Sequence, residues 1–359
     1  MIGLIDAFLG MNSTLSSFGK TDLKIPPIVY GTSFLGNLYR DIGWEMKLEI
    51  IRQWFEASDS MVVIDTAGKY GAGLALEVIG KGLAELGIPP EKILISNKLG
   101  WYRIPLKSNE PTFEPGAWAN LKFDAKQNIG KKGILDCWKQ GNDLLGDDYS
   151  AQLISVHDPD EYLAASVSLS DREKRKNDIV EAYNALFDLK KRGEIRAVGI
   201  GAKDWGVIQE LYKLIPFDWV MLANSLTIYR HPPEILYFIH QLSEDGVGII
   251  NSAIFNAGFL TGGEYFDYTL IDPSLPADQE RIEWRNSFFE ICRKFNIEPG
   301  DACLQYAMAP EEIQAVALNP SKPERIKRNT QIIERPLPVE FWKSLKSNGI
   351  IQKIFRKLL

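Results

Sequence analysis

Val62-Val63-Ile64-Asp65-Thr66-Ala67-Gly68-Lys69-Tyr70-Gly71 is an apolar, β-branched run that stops at a carboxylate and, five residues later, reaches a phenol. Ser58-Asp59-Ser60 precedes it and a Gly-rich turn follows. The run therefore predicts a buried strand with Asp65 at its carboxyl end and Tyr70 on the next loop. Alone, an Asp in that place reads as a turn or helix-cap residue. Two further runs change its meaning: Ile93-Leu94-Ile95-Ser96-Asn97 ends in Lys98, and Leu153-Ile154-Ser155-Val156 ends in His157-Asp158. Three successive strands thus deliver Asp, Lys and His beside a Tyr, at the strand ends where α/β folds keep their chemistry.

The same alternation extends in both directions. A first strand over 28–30 ends in Gly31-Thr32, and a helix over 44–57 gathers Ile50, Ile51, Trp54 and Phe55 on one face. Helices over 73–86 and 134–145 follow the second and third strands. After His157 come helices over 179–191, 204–214, 233–243, 279–295 and 323–333, interleaved with strands over 196–200, 219–222, 247–250 and 315–318. Eight strands alternating with eight helices predict a (β/α)8 TIM barrel, one domain over 1–359, with long loops after strands 3, 4 and 7. An extra amphipathic C-terminal helix is expected over 339–359. The loop over 99–130 carries Trp101, Tyr102, Phe113 and Trp118 among prolines and glycines, and its aromatics predict a lid rather than a disordered linker. The mixed-charge run 171–176 reads as solvated surface.

Composition limits the function classes. Of 359 residues, 45% are hydrophobic and 25% charged, as in ordinary globular chains. A formal charge of −6 argues against a general nucleic-acid or anionic-membrane binder but leaves room for a local basic pocket for a phosphate. Cys137, Cys292 and Cys303 are too scattered for a disulfide framework, so a reducing, cytoplasmic setting is expected. Residues 1–9 are apolar but short, without a basic leading segment, and read as neither signal peptide nor anchor. No His/Cys/carboxylate spacing suggests a metal. The expected partner is a small molecule, and the expected assembly a monomer or homodimer.

A closed barrel sets the ends of strands 2, 3 and 4 side by side, so Asp65, Tyr70, Lys98 and His157 can share one pocket. A phenol with a pKa of about 10 is a poor proton shuttle at neutral pH unless its phenolate is favoured. Lys98 supplies a positive charge for that purpose, Asp65 holds the lysine charged, and His157 orients a substrate oxygen. Such a pocket suits carbonyl reduction or alcohol oxidation. No side chain accepts a hydride, so a nicotinamide cofactor is implied. No GxGxxG follows the first strand, which excludes the Rossmann manner of holding it.

The chain resembles the aldo-keto reductases, and within them the aldose 1-dehydrogenase branch of fucose and D-threo-aldose dehydrogenases. The resemblance lies in Gly31-Thr32 with Leu35-Gly36-Asn37-Leu38-Tyr39, Asp65-Thr66-Ala67 with Tyr70-Gly71-Ala72-Gly73, Ser96-Asn97-Lys98-Leu99-Gly100, and Val156-His157-Asp158-Pro159. It implies that Tyr70 is the general acid and base, Lys98 and Asp65 its tuning pair, and His157 the orienting donor. It also implies an extended dinucleotide across the carboxyl face, its pyrophosphate wrapped by the loop from Asn251, Ser252 and Ala253 through Phe255 to Gly258. Ser321, Lys322, Arg325, Arg328 and Asn329 are expected to meet the adenosine end. Four departures stand out. Gly68-Lys69 replaces a proline-bearing turn, predicting a looser loop, and Gly201-Ala202-Lys203 replaces a carboxamide-reading Ser-Asn. Asn251 stands where an aromatic stacks on nicotinamide, and Asn319-Pro320 where a Lys-Ser pair reads the 2′-phosphate. Arg325 then favours NADP over NAD.

The expected activity is oxidation of an aldose at C1 to its lactone, with Trp101 and Trp118 against the C–H face of the sugar. The alternatives are an NADPH-dependent reductase of small aldehydes or ketones, and a nucleotide-binding regulatory subunit with little turnover. His231 reads as a helix-entry loop residue and His240 as packing or surface.

Overall fold

The computed structural model describes residues 15–58 and 60–359; the stretch 1–9 lies outside them. Eight parallel strands close into a barrel: β1 (Ile28–Gly31), β2 (Val62–Ala67), β3 (Ile93–Leu99), β4 (Leu153–His157), β5 (Ala197–Ala202), β6 (Trp219–Ala223), β7 (Gly248–Ser252) and β8 (Ala315–Leu318). Each strand pairs with the next in chain order, and β8 returns to β1 through Val316↔Ile28. The chain is thus the (β/α)8 barrel expected.

Strand periodicity decides what enters the barrel. Val29, Val63, Leu94, Leu153, Ala197, Trp219, Met221, Ile250 and Ala315 form one buried cluster inside it. Alternate residues share a face, so the positions two or four residues further along point inward at the mouth. These are Asp65 after Val63, Lys98 after Leu94, and His157 after Leu153. At the opposite end, Ser16–Ser17 pairs antiparallel with Lys24–Ile25, and the buried Phe18, Leu23 and Ile25 join the inner cluster. The large Trp219 indole fits because Gly199 faces it: a Cβ there would lie 2.2 Å from the ring. Gly199→Ala is therefore expected to cost about 1–3 kcal/mol through overpacking, read as a lower urea midpoint at unchanged slope.

Several segments differ from expectation. The loop after β3 folds into an antiparallel hairpin, Trp101–Pro105 against Phe123–Gln127, because Asp124 turns inward and takes the N–H and hydroxyl of Thr112 at 3.0 and 2.8 Å. The connection after β4 holds the helix Pro159–Ala164, and the long helix then begins at Leu169, not at 179. Ser168 accepts the Asp171 N–H as its cap, and the charged run pairs along the helix through Asp171–Arg175. A helix at Pro299–Ala307, unanticipated, packs Cys303 and Tyr306 into a second core with Phe341, Trp342 and Leu345. The tail helix is shorter than expected, Val339–Ser347, because Gly349 turns the chain at a φ of 72°.

His231 lies buried in a loop, where its Nε2 accepts the Gln352 N–H at 2.9 Å and so anchors the tail. His240 lies on the exposed face of the helix Pro233–Glu244 beside Glu312. All three cysteines are buried and unpaired. Among the described residues, no helix is long and apolar enough to cross a membrane.

Candidate active site

The barrel mouth brings the four predicted groups together. Lys98 Nζ pairs with Asp65 Oδ2 in a short contact, and Ser96 Oγ donates to Asp65 Oδ1 at 3.0 Å. The same ammonium lies 4.8 Å from the centre of the Tyr70 ring. Tyr70 meets the His157 imidazole edge to face, with centroids 5.6 Å apart and planes at 86°. His157 Nε2 lies 3.5 Å from Asp158 Oδ2, and its Nδ1 is buried with no protein partner among the described residues.

Tyr70 is held by its own turn. Gly71, Ala72 and Gly73 all take positive φ, and the backbone of Gly36 packs against Tyr70 so closely that a Cβ on Gly36 would lie 2.7 Å from the Tyr70 carbonyl. Only glycine permits that approach. The spacing from Asp65 to Tyr70 is thus a tight, backbone-packed turn.

Burial pushes the Tyr70 phenol above its ordinary range, with Asp65 adding to the rise and Lys98 opposing it. The net direction differs from the expectation that Lys98 alone biases it toward phenolate. For Lys98, burial opposes the charge, but Asp65 and Tyr70 outweigh it and raise its pKa. Burial, with Lys98 and Lys69 nearby, drives His157 well below the usual histidine range, so the ring is neutral. The arrangement can therefore give or take a proton at Tyr70 and hold an oxygen at His157.

Around these four lies a wall that spacing did not reveal. Lys69, expected in a looser loop, is buried: its Nζ lies 2.6 Å from Glu114, 3.3 Å from Glu161 and 3.6 Å from Asp158. Glu114 also accepts the Trp118 Nε1–H at 2.7 Å, and Trp118 packs on Tyr70 at 6.0 Å between centroids. Trp101 lies under the Lys69 ammonium, 5.2 Å from it, and packs at a tilt of 44° against Phe113. Lys203, in the segment that replaces the carboxamide-reading Ser-Asn, pairs with Glu161 at 2.5 Å. The connection after β3 is stapled to the loop after β1 through Tyr39 N–H to Ala117 O and Ala119 N–H to Asn37 O. Glu114→Ala is expected to raise KM about 5–10-fold with kcat nearly unchanged, because Trp118 loses its anchor while the four central groups stay in place.

The expected dinucleotide contacts divide. Asn251 does not face the mouth: it lies one residue beyond the inward Ile250, fully buried, with Nδ2 donating to Leu226 O and Ala307 O. Ser252 is buried at the end of β7, its hydroxyl donating to Leu222 O. The following loop has positive φ at Ala253, Asn256, Ala257 and Gly258, and the N–H groups of Ile254, Phe255 and Ala257 donate to no protein acceptor among the described residues. Such free amides suit a pyrophosphate. At the helix Glu324–Glu334, Lys322 and Arg325 are exposed with no ion pair among the described residues, Ser321 and Asn329 are half-buried, and Arg328 is taken by Asp301 at 3.0 Å. The residues present fit an extended nicotinamide dinucleotide, with Asn251 and Arg328 otherwise engaged.

The chain belongs to the aldo/keto reductase family, whose model matches residues 27–349. It is thus a member of a family of NAD(P)H-dependent oxidoreductases. A pyridoxal 4-dehydrogenase of Microbacterium luteolum is 26% identical over 354 residues, covering 93% of this chain and 97% of that protein. A D-threo-aldose 1-dehydrogenase of a Pseudomonas species is 23% identical, covering 95% and 99%. An L-galactose dehydrogenase of Arabidopsis thaliana is 22% identical, covering 89% and 88%. Among solved structures, a glycerol dehydrogenase from Gluconobacter oxydans matches with a TM-score of 0.68 at 16% identity, over 95% of each chain. The holo form of an aldo-keto reductase from Bacillus halodurans matches at 0.67 and 20%, over 96% of this chain and 99% of that one. These two likenesses concern the fold.

Proposed function

We propose that this chain oxidises a neutral aldose at C1 to its lactone, with Tyr70 carrying the proton. The observation that carries the reading is the meeting of Tyr70 and His157 over the buried Lys98–Asp65 pair, beside an aromatic wall of Trp101 and Trp118. A nicotinamide dinucleotide, held by the loop after β7 and the helix Glu324–Glu334, would supply the hydride acceptor for C1. Tyr70 acts as the phenolate that Lys98 stabilises: its Oη takes the hydroxyl proton and is left as the neutral phenol. His157, neutral and edge-on to Tyr70, fixes the reacting oxygen through a ring nitrogen. Trp101 and Trp118 present flat apolar faces to sugar C–H groups. Relatives named for D-threo-aldose and L-galactose support the sugar.

One observation favours a second reading. Burial keeps the resting Tyr70 protonated, the form an acid needs for reducing a small aldehyde or ketone. The unpaired Lys322 and Arg325 support NADP, as readers of a 2′-phosphate near a helix N-terminus. Arg325→Ala together with Lys322→Ala is expected to weaken NADP binding about tenfold or more and leave NAD binding nearly unchanged, by fluorescence titration. The three unpaired cysteines support a reducing, cytoplasmic setting.

The deciding experiment compares L-fucose and related aldoses with NAD(P)+ against small carbonyl compounds with NADPH, identifying the product in each case. Lactone formation at the higher kcat/KM supports the first reading. Carbonyl reduction alone selects the second, and cofactor binding without turnover across both panels overturns both.

A further inference from the structure

We infer that the ionic wall beside Tyr70 selects uncharged substrates and rejects sugars bearing a phosphate or carboxylate. The inference rests on the aldose reading for its substrate class, and on the charge count of this wall for its direction. Lys69 and Lys203 are its two ammonium groups. Around them stand three carboxylates, Glu114, Asp158 and Glu161, one more than the ammonium groups, while Asp160 accepts from the Lys203 backbone.

Both ammonium groups are already occupied. Lys69 contacts all three carboxylates, and Lys203 contacts Glu161 at 2.5 Å and Asp158 at 3.9 Å. Arg230, which lines one cavity with Asp160 and Lys203, is likewise paired, with Asp267 at 3.0 Å. Asp160 stands behind them: its Oδ2 takes the N–H groups of Lys203 and Asp204 at 3.0 and 2.9 Å, while Oδ1 is buried without a partner among the described residues. The Lys98–Asp65 pair contributes no net charge of its own.

The wall is close to the reacting groups. Asp158 Oδ2 lies 3.5 Å from His157 Nε2, and Lys69 directly precedes Tyr70 in the chain. A substrate held by His157 and Tyr70 therefore lies in its field. Hydroxyl groups both donate and accept, so a polyol can exchange hydrogen bonds with carboxylate oxygens and ammonium protons without adding charge. A phosphate or carboxylate offers only acceptors. It would stand opposite a surplus of carboxylates, of which Asp158 beside His157 is the most buried, and like charge there disfavours it.

The test measures kcat/KM for pairs that share a skeleton and differ in charge. One set is a neutral hexose, its 6-phosphate and its 6-carboxylate with NADP+; the other is glyceraldehyde and its 3-phosphate with NADPH. The neutral member is expected to be preferred at least ~100-fold, and Glu161→Gln and Asp158→Asn to narrow that ratio about tenfold each. Equal or faster turnover of the anionic member in the wild-type protein would overturn the inference. If no hexose is oxidised, the glyceraldehyde pair still reads the charge preference, so failure of the sugar reading is told apart from failure of this one.

Discussion

Tyr70→Phe is expected to lower kcat by ~10²–10⁴-fold in either direction while leaving the dissociation constant of the nicotinamide cofactor within about twofold. The substitution removes one oxygen and keeps the ring that packs on Trp118 and meets His157 edge to face. The Tyr70–Gly73 turn is set by backbone conformation and by the Gly36 approach, neither of which involves the hydroxyl. Stability should therefore change little, and the loss should appear in the chemical step. Stopped-flow absorbance of the nicotinamide at saturating substrate separates that step from binding. A variant that keeps near-normal kcat would exclude Tyr70 as proton carrier.

Lys98→Met is expected to lower kcat ~10²-fold or more and also to destabilise the fold by roughly 3–5 kcal/mol. The two effects share a cause. Methionine retains the apolar stem that lies opposite Gly201, where a Cβ would sit 3.6 Å from Lys98 Cδ, but it strands the buried Asp65 carboxylate with the Ser96 hydroxyl. It also removes the positive charge that opposes the rise in the Tyr70 pKa. Urea titration reads the first effect. Asp65→Asn with Lys98→Met should recover part of the stability without recovering activity.

Much of this was legible because a barrel strand repeats every two residues. Asp65, Lys98 and His157 each follow an apolar run in phase with an inward core residue, so their convergence is a matter of counting. Asn251 shows the same rule applied one residue out of phase: Ile250 points inward, so Asn251 points outward into Leu226 and Ala307. Lys69, Glu114, Glu161 and Lys203 were not legible, because they come from separate connections whose side chains meet only after the barrel closes. The one local signal was a lysine inside a glycine turn beside the reactive tyrosine. The helix at Leu169 was hidden for a different reason: its first turns are held by charge pairs and a serine cap, and apolar periodicity begins only near Ile179.

The central claim is that a phenol, tuned by burial and by a neighbouring ammonium, carries the proton. The most direct test is the pH dependence of kcat for reduction and oxidation in the wild-type protein and in Lys98→Met. Reduction needs protonated Tyr70, a form present below its folded pKa and lost as pH rises through it. Because that pKa is raised, reduction should hold through neutral pH and fail only on an alkaline limb, while oxidation climbs toward the same limb. In Lys98→Met the limb should move to still higher pH. A limb that stays where it was, or moves down, would contradict the account.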